Sequence, residues 1–200
     1  MGQPAPRAVT PDLAPGEQRF TIHNITWEQY EAMRAATDHL PGLRMTYLEG
    51  VLELMSSSRD HEWVKKCLAR LLEIYALERN LPLNGYGGTT FRKRAKERGL
   101  EPDECYCLGP MGEVPDIAIE VVFSSGGIDK LEVYRGLEIP EVWIWKAGRL
   151  TIWRLGKRER YHSVARSRFL PDLDIDQLLS FVRPDDQTGA VRAYRDALRV

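Results

Sequence analysis

The stretch PDIAIEVVFSSGGIDK, residues 115–130, begins as a buried strand and then interrupts its apolar run with acidic residues. In an extended chain successive side chains alternate between the two faces of a sheet, so Asp116, Ala118, Glu120 and Val122 share one face. An unpaired carboxylate inside a sheet is strongly unfavourable or takes up a proton. Glu120 therefore needs a metal cation, a basic partner in a structural ion pair, or a cleft open to water.

A second acid comes from the segment EPDECYCL, residues 101–108, which predicts a strand joined to the first by a turn-rich link. Asp116 lies about 13 Å from Glu120 along an extended strand. That is too far for two ligands of one hard cation, whose oxygen ligands lie within about 2.6 Å of the metal. Asp103 is the better partner, because antiparallel neighbours place facing residues about 5 Å apart. Asp103 and Glu120 are therefore predicted to meet at one divalent cation.

Lys130 is the third candidate. It is predicted to lie in the first turn of a helix over residues 128–137, on the stripe of Val133, Tyr134 and Leu137 that faces the sheet. Most helix lysines are solvated, but a long stem at this position can cross apolar surface and bring its ammonium group to the two acids. We predict that the acids bind Mg²⁺ or Mn²⁺, which acidic ligands favour over zinc, and that the lysine completes the site.

The composition excludes several other classes of protein. The 28 Lys and Arg residues nearly balance the 29 Asp and Glu residues, so no global field draws the chain to nucleic acid or to anionic lipid. Three cysteines without zinc-type spacing indicate neither a disulfide framework nor a zinc site and fit a cytoplasmic location. No apolar run approaches the roughly 20 residues of a membrane span, and a signal segment is not expected.

Periodicity along the chain predicts a mixed α/β protein. The proline-rich residues 1–16 are expected to form a disordered, mobile arm, followed by a single domain over residues 17–200. The predicted elements are a helix capped by Thr26, a hairpin turning at Glu49 and Gly50, a helix over 59–80, strands over 101–108 and 116–123, a helix over 128–137, a hairpin turning at Ala147 and Gly148, a strand over 157–164, and helices over 174–181 and 187–198.

The segments EPDECYCL and PDIAIEVVFSSGGIDKLEVYRGLEIPEVWIW resemble the Uma-type restriction endonucleases, a prokaryotic group with the PD-(D/E)xK nuclease fold. TYLEGVLELMSSSRDHEW and GYGGTTFRKR are also similar to that family, so the resemblance covers residues 47–155 in order. It implies a restriction-endonuclease-like core, with a mixed central β-sheet flanked by helices and an N-terminal helix and hairpin. It also implies a Mg²⁺-dependent endonuclease in which Asp103, Glu120 and the carbonyl of Val121 are metal ligands and Lys130 replaces the motif lysine.

One position departs from the family pattern. In the E-x-K motif the lysine follows the acid by two residues, and Val122 occupies that place. Activity then requires that Lys130 on the helix takes over the role of the strand lysine, a variation that nucleases of this fold tolerate. Two alternatives therefore stay open: a catalytically decayed binding or regulatory module of the same fold, and a metal-dependent hydrolase of a small phosphate ester.

His61 and Glu53 are supporting candidates. His61 is predicted to lie on the buried face near the start of the long helix, where a lone histidine is more often structural. The segment around it, SRDHE, resembles a recurrent motif of the family, which implies a place beside the active cleft. Glu53 alternates with Val51 and Met55 on its strand and is predicted to be an acid close to the metal ligands.

Basic side chains are candidates for contact with nucleic acid, with DNA as the expected substrate. The run FRKRAKERG immediately precedes the segment of Asp103, and its cations could make salt-dependent, sequence-independent phosphate contacts. Charge runs of this kind are more often simply solvated. The candidates in this run are Arg92, Lys93, Arg94 and Lys96.

Three tryptophans, Trp143, Trp145 and Trp153, alternate along the strands after the predicted active-site helix. Core packing is the usual role of tryptophans in such strands. An exposed tryptophan edge could instead serve a contact between two copies of the chain, and a homodimer is the expected assembly because nucleases that cut both strands are frequently dimers.

Overall fold

The computed structural model describes residues 18–40, 42–123, 127–183 and 186–199. Within these ranges the chain forms eleven strands and five α-helices. In chain order they are β1 (Gln18–His23), α1 (Trp27–Thr37), β2 (Leu43–Leu48), β3 (Val51–Ser56), α2 (Arg59–Glu78), β4 (Leu83–Gly85), β5 (Phe91–Lys93), β6 (Arg98–Leu100), β7 (Glu104–Leu108), β8 (Ile117–Val122), α3 (Lys130–Leu137), β9 (Glu141–Lys146), β10 (Arg149–Leu155), β11 (Tyr161–Val164), α4 (Ile175–Ser180) and α5 (Gln187–Leu198). The mixed α/β class is confirmed, and the arm predicted for residues 1–16 lies outside the described residues.

The strands form two sheets. The large sheet has six strands in the order β11-β10-β9-β8-β7-β4, and it is mixed because β8 and β9 are parallel while the other neighbours are antiparallel. The small sheet has five strands in the order β1-β3-β2-β6-β5, all antiparallel. The sequence predicted the mixed central sheet and the N-terminal hairpin, but it did not predict that the hairpin belongs to a separate sheet.

Local signals set the N-terminal elements, and the cap at Thr26 and the turn at Glu49 and Gly50 are the predicted ones. Thr26 caps α1 in a capping box with Gln29. The β2–β3 hairpin turns at Glu49 and Gly50, whose φ angles of 43° and 86° are the paired positive values of a tight two-residue turn. The Ser58 side chain caps α2 by accepting from the backbone N–H of His61. These caps and this turn therefore set where α1 and α2 begin and where the hairpin reverses direction.

The alternation of side chains along β8 directs its two faces to two different helices. Ile117, Ile119 and Val121 are buried with the apolar face of α2, and each large apolar side chain buried in this way contributes about 1.5–3 kcal/mol. Ala118 lies on the opposite face and is buried with Val133 of α3. Glu120 has the parity of Ala118, so the fold places its carboxylate beneath α3.

Helix α3 lies between the two sheets. Its buried side chains Val133, Tyr134 and Leu137 belong to one cluster with Leu100 of the small sheet and Val142 of the large sheet. Asp129 caps its first turn by accepting from the backbone N–H of a residue two positions later. The helix therefore joins the two sheets and carries its first turn towards β8.

Core packing accounts for two of the tryptophans. Trp143 and Trp145 are buried in the cluster beneath α2, whereas Trp153 is half-buried on the opposite face of the large sheet. The homodimer stays a prediction. No helix in the described part of the chain has the length and apolar character needed to cross a membrane.

Candidate active site

The two predicted acids face each other: Asp103 immediately precedes β7, and Glu120 lies on the neighbouring strand β8. β7 pairs with β8 with Glu104 opposite Ile119, so one further step of the register sets Asp103 opposite Glu120. The Asp103 N–H donates to the Ile119 carbonyl at 3.1 Å, and Asp103 Oδ2 accepts from the Val121 N–H at 2.8 Å. Both carboxylates are buried, with 2% and 0% of Asp103 and Glu120 exposed. The structure therefore brings together the two acids that the strand spacing indicated.

Two side chains of α3 satisfy the Glu120 carboxylate. Lys130 Nζ donates to Oε2 at 2.5 Å, and the hydroxyl of Tyr134, one helical turn later, donates to Oε1. Tyr134 is fully buried and was treated in the sequence only as a member of the apolar stripe. A buried tyrosine hydroxyl needs a hydrogen-bond partner, so its position four residues after Lys130 was the available signal.

Burial and neighbouring charges shift the pKa values of Asp103, Glu120 and Lys130. Burial would raise the pKa of Asp103, but the interactions with His61, Lys130 and the Val121 N–H outweigh burial and hold that pKa below its usual value. Burial raises the pKa of Glu120 despite the opposing effect of Lys130. Burial would lower the pKa of Lys130, but its pKa is raised because Glu120 and Asp103 stabilise the ammonium form. Lys130 is therefore held as a cation.

His61 lies next to Asp103, on the buried face of α2 as predicted. Its Nε2 is 3.2 Å from Asp103 Oδ2, within ion-pair distance but without the geometry of a well-formed hydrogen bond. Burial would lower the pKa of His61, but the contact with Asp103 outweighs burial and raises it. His61 therefore adds a titratable neighbour on the side of Asp103 away from α3.

Glu53 lies on the small sheet and contacts the segment just before α3. Its Oε2 accepts from the Ile128 N–H at 3.1 Å and lies 3.4 Å from Nη1 of Arg19. The carboxylate is 1% exposed. Glu53 therefore anchors the start of the helix that carries Lys130, and it is not among the groups bonded to Glu120 or Asp103 within the described ranges.

Gly127 packs directly against this anchor. Its φ is +87°, and an added Cβ would lie 1.7 Å from Glu53 Oε2 and 2.9 Å from Arg19 Nη1. The substitution Gly127→Ala is expected to lower the free energy of unfolding by about 2–4 kcal/mol, because a positive φ and a steric clash both oppose the methyl group. Urea unfolding measures this loss.

Gly148→Ala is the matched control for Gly127→Ala. Gly148 has a φ of +79°, but an added Cβ would meet no described atom within 4 Å. Its substitution is expected to show the backbone term alone, about 1–2 kcal/mol. An equal loss for the two variants would show that the contact between Gly127 and Glu53 is not tight.

A cleft of about 770 Å³ opens on the candidate site. The Lys130 side chain is 15% exposed and borders this cleft, whereas Glu120 lies at its floor. A ligand that entered the cleft would therefore meet Lys130 before Glu120. The remaining walls are mostly apolar or basic, with Asp129 as a further acid, and include Ile128, Ile144, Lys146, Arg149 and Trp153.

The predicted nucleic-acid contacts lie elsewhere on the molecule. Three of these side chains pair with glutamates, at 3.4 Å for Arg92, 3.0 Å for Lys93 and 2.5 Å for Arg94. The partner of Lys93 is Glu138, which ends α3, so this pair lies about 12 Å along the helix from Lys130. Their contact with nucleic acid, and that of Lys96, stays a prediction.

The donor atoms near Glu120 suit a hard cation. Among the described residues, no group of three or more His, Cys, Asp and Glu side chains is arranged to hold a metal ion. Two carboxylates and one backbone carbonyl are nevertheless adjacent: the Val121 N–H points to Asp103, and in an extended residue the C=O points to the same side. Carboxylate oxygens that accept one hydrogen bond keep further lone pairs. This all-oxygen set fits Mg²⁺ or Mn²⁺.

Known proteins provide two similarities. A family model described as "Uma2: Putative restriction endonuclease" matches residues 27–183, which include every candidate residue from Glu53 to Lys130. A search of curated proteins finds no match. The chain is also similar to a solved structure from Anabaena variabilis, described as "a putative nuclease belonging to DUF820", with a TM-score of 0.49 and 13% identity over 70% of this chain and 91% of that chain.

Proposed function

The chain belongs to the Uma2 family of putative restriction endonucleases, and from this premise we propose that it is a Mg²⁺- or Mn²⁺-dependent nuclease that hydrolyses phosphodiester bonds, with DNA as its substrate. One observation carries the proposal. Lys130 bonds the carboxylate of Glu120, and Asp103 bonds the backbone of the residue next to Glu120. Two strands and the following helix thus deliver two acids and an amine to one place.

The residues have separate roles in this proposal. Asp103, Glu120 and the carbonyl of Val121 would hold the cation. A bound Mg²⁺ supplies Lewis acidity to a phosphate oxygen and lowers the pKa of a coordinated water. Lys130, held as a cation, can offset the negative charge that develops on the phosphate during attack. Tyr134 holds the second oxygen of Glu120, so the orientation of that carboxylate is fixed before substrate arrives.

The position of Lys130 bears on the departure from the E-x-K motif. Val122 shares the face of Glu120 and borders the same cleft, but it carries no amine. The bond from Lys130 Nζ to Glu120 supports the hypothesis that the helix supplies the amine instead.

The direct test is incubation of the purified protein with supercoiled plasmid and with circular single-stranded DNA, in Mg²⁺, in Mn²⁺ and in EDTA. Cleavage of either substrate that requires the cation supports the proposal. Parallel assays with p-nitrophenyl phosphate test the small-ester alternative. If Mn²⁺ binds by calorimetry but neither DNA is cut, the nuclease proposal is wrong.

A further inference from the structure

One face of the large sheet extends past α3, and among the described residues it borders an open cleft. In the registers of β8, β9 and β10, Ile144 pairs with Glu120 and Lys146 pairs with Val122. Arg149 in turn pairs with Lys146. Paired residues on neighbouring strands point to the same face, so these side chains continue the face on which Glu120 lies. This surface forms the wall of the 770 Å³ cleft that adjoins Lys130.

The charged side chains of the wall are available to an anion. Lys146 and Arg149 are exposed on the two sides of the tight turn between β9 and β10. Neither forms an ion pair with an acid in the part of the chain that the structure describes, unlike the paired basic run on β5. The acids that border the cleft are both engaged: Glu120 by Lys130, and Asp129 as the cap of α3. The cleft is therefore locally positive.

The rest of the wall is apolar. Ile128, Leu131, Ile144 and Trp153 are half-buried and border the cleft. A regular duplex presents phosphates to such a surface and keeps the faces of its bases stacked inside, so it makes little use of apolar walls. A basic groove with an aromatic and apolar lining is instead the pattern that binds single strands, because unpaired bases can stack on it.

We propose that this cleft binds unpaired nucleotides, with Lys146 and Arg149 on backbone phosphates and the apolar wall around Trp153 against a base. The inference rests on the proposed function for the site of cutting, and it identifies the substrate as single-stranded or locally unwound nucleic acid. A cleft of about 770 Å³ lies within the size range of sites that enclose small organic molecules, as a single nucleotide would require. Binding itself needs no cleavage and is measured separately.

Fluorescence anisotropy in EDTA, where no cutting is expected, tests the inference. The probes are a fluorescein-labelled oligothymidine and a blunt duplex of the same length. The wild-type chain is expected to bind the single strand about tenfold more tightly, since stacking of even one base adds this much. The variant Lys146→Glu/Arg149→Glu should bind the single strand about tenfold or more weakly. The slope of the logarithm of its binding constant against the logarithm of the salt concentration should become less steep by about 1.4, because two phosphate contacts are lost.

The matched control is Lys157→Glu/Arg158→Glu. These exposed residues lie on the β10–β11 connection, at the opposite end of β10 from Arg149, and make the same change of charge. This variant should stay within about threefold of the wild type, because screening over a strand length removes most of a distant charge. Equal losses for the two variants, or tighter binding of the duplex, would overturn the inference.

Trp153→Leu separates stacking from charge. It keeps an apolar side chain in the wall and is expected to weaken single-strand binding by about tenfold while leaving duplex binding unchanged. Cleft-dependent binding without any cleavage would contradict the proposed nuclease activity alone. If the Lys146→Glu/Arg149→Glu variant cleaves and binds as the wild type does, the inference alone is contradicted.

Discussion

The substitution Asp103→Asn is expected to lower the rate of nucleic-acid cleavage in saturating Mn²⁺ by about 10³-fold, comparable to the loss of one preorganised electrostatic group at an active site. The amide keeps the volume of the carboxylate, and its oxygen can still accept from the Val121 N–H. The substitution removes the negative charge that would hold the cation and that stabilises the ammonium of Lys130. Single-turnover cleavage rates and calorimetric Mn²⁺ titration measure the two effects.

Glu101→Gln is the control from the same segment. Glu101 lies two residues away and pairs with Arg44 at 3.0 Å, outside the candidate site. Neutralising Glu101 should leave the cleavage rate within about threefold of the wild type, because a partly exposed ion pair contributes only about 0–1 kcal/mol to stability. Identical Mn²⁺ affinity for the wild type and Asp103→Asn would remove Asp103 from the proposed ligands, and unchanged cleavage would remove it from the mechanism.

The second large effect is expected from Lys130→Met. Methionine can fill the path of the lysine stem, but Glu120, which is 0% exposed, then loses its cation. Breaking a buried ion pair by removing one partner lowers the free energy of unfolding by about 3–5 kcal/mol. We expect this loss in urea unfolding at about pH 8, because leaving a buried charge uncompensated costs more than the contact itself contributes. Cleavage should be lost as well, because the variant lacks the amine.

The pH dependence of this loss has a definite sign. Burial raises the pKa of Glu120 above its ordinary 4.5, and without Lys130 that pKa rises further. The folded state of the variant then holds a proton that the unfolded state releases, so stability falls as the pH rises above 4.5. The destabilisation should be small at about pH 4 and complete at about pH 8. A loss that is constant across this range would point to packing.

Two further variants separate charge from packing. Glu120→Gln/Lys130→Met removes both charges of this ion pair, so it should recover most of the stability that Lys130→Met loses. Tyr134→Phe removes one donor to Glu120 but keeps Lys130, and its expected cost is about 1–3 kcal/mol. Equal stability of the double variant and Lys130→Met would show that the ion pair is not the cause.

The parts of the fold that depend on neighbours in sequence could be predicted. Caps at Thr26 and Ser58 start their helices through contacts three residues away, and the turn at Glu49 and Gly50 uses local backbone preferences. The meeting of Asp103 with Glu120 follows from two strands joined by a short link, so the register was also nearly local.

The small sheet could not be predicted, for a physical reason. β1 carries mostly exposed side chains and shows no buried alternation, while β5 and β6 have three residues each, too few for a period to emerge. Their pairing is decided by long-range contacts. The same limit applies to the cleft, since Lys146 reaches the face of Glu120 only through the parallel register of β8 and β9.

The position of α3 between the two sheets makes the site dependent on the whole molecule. The segment just before its first turn is tied to the small sheet through the bond between Glu53 and the Ile128 N–H, while Glu120 belongs to the large sheet. A change in the small sheet that breaks this bond is therefore expected to move the start of α3, and Lys130 with it, relative to Glu120.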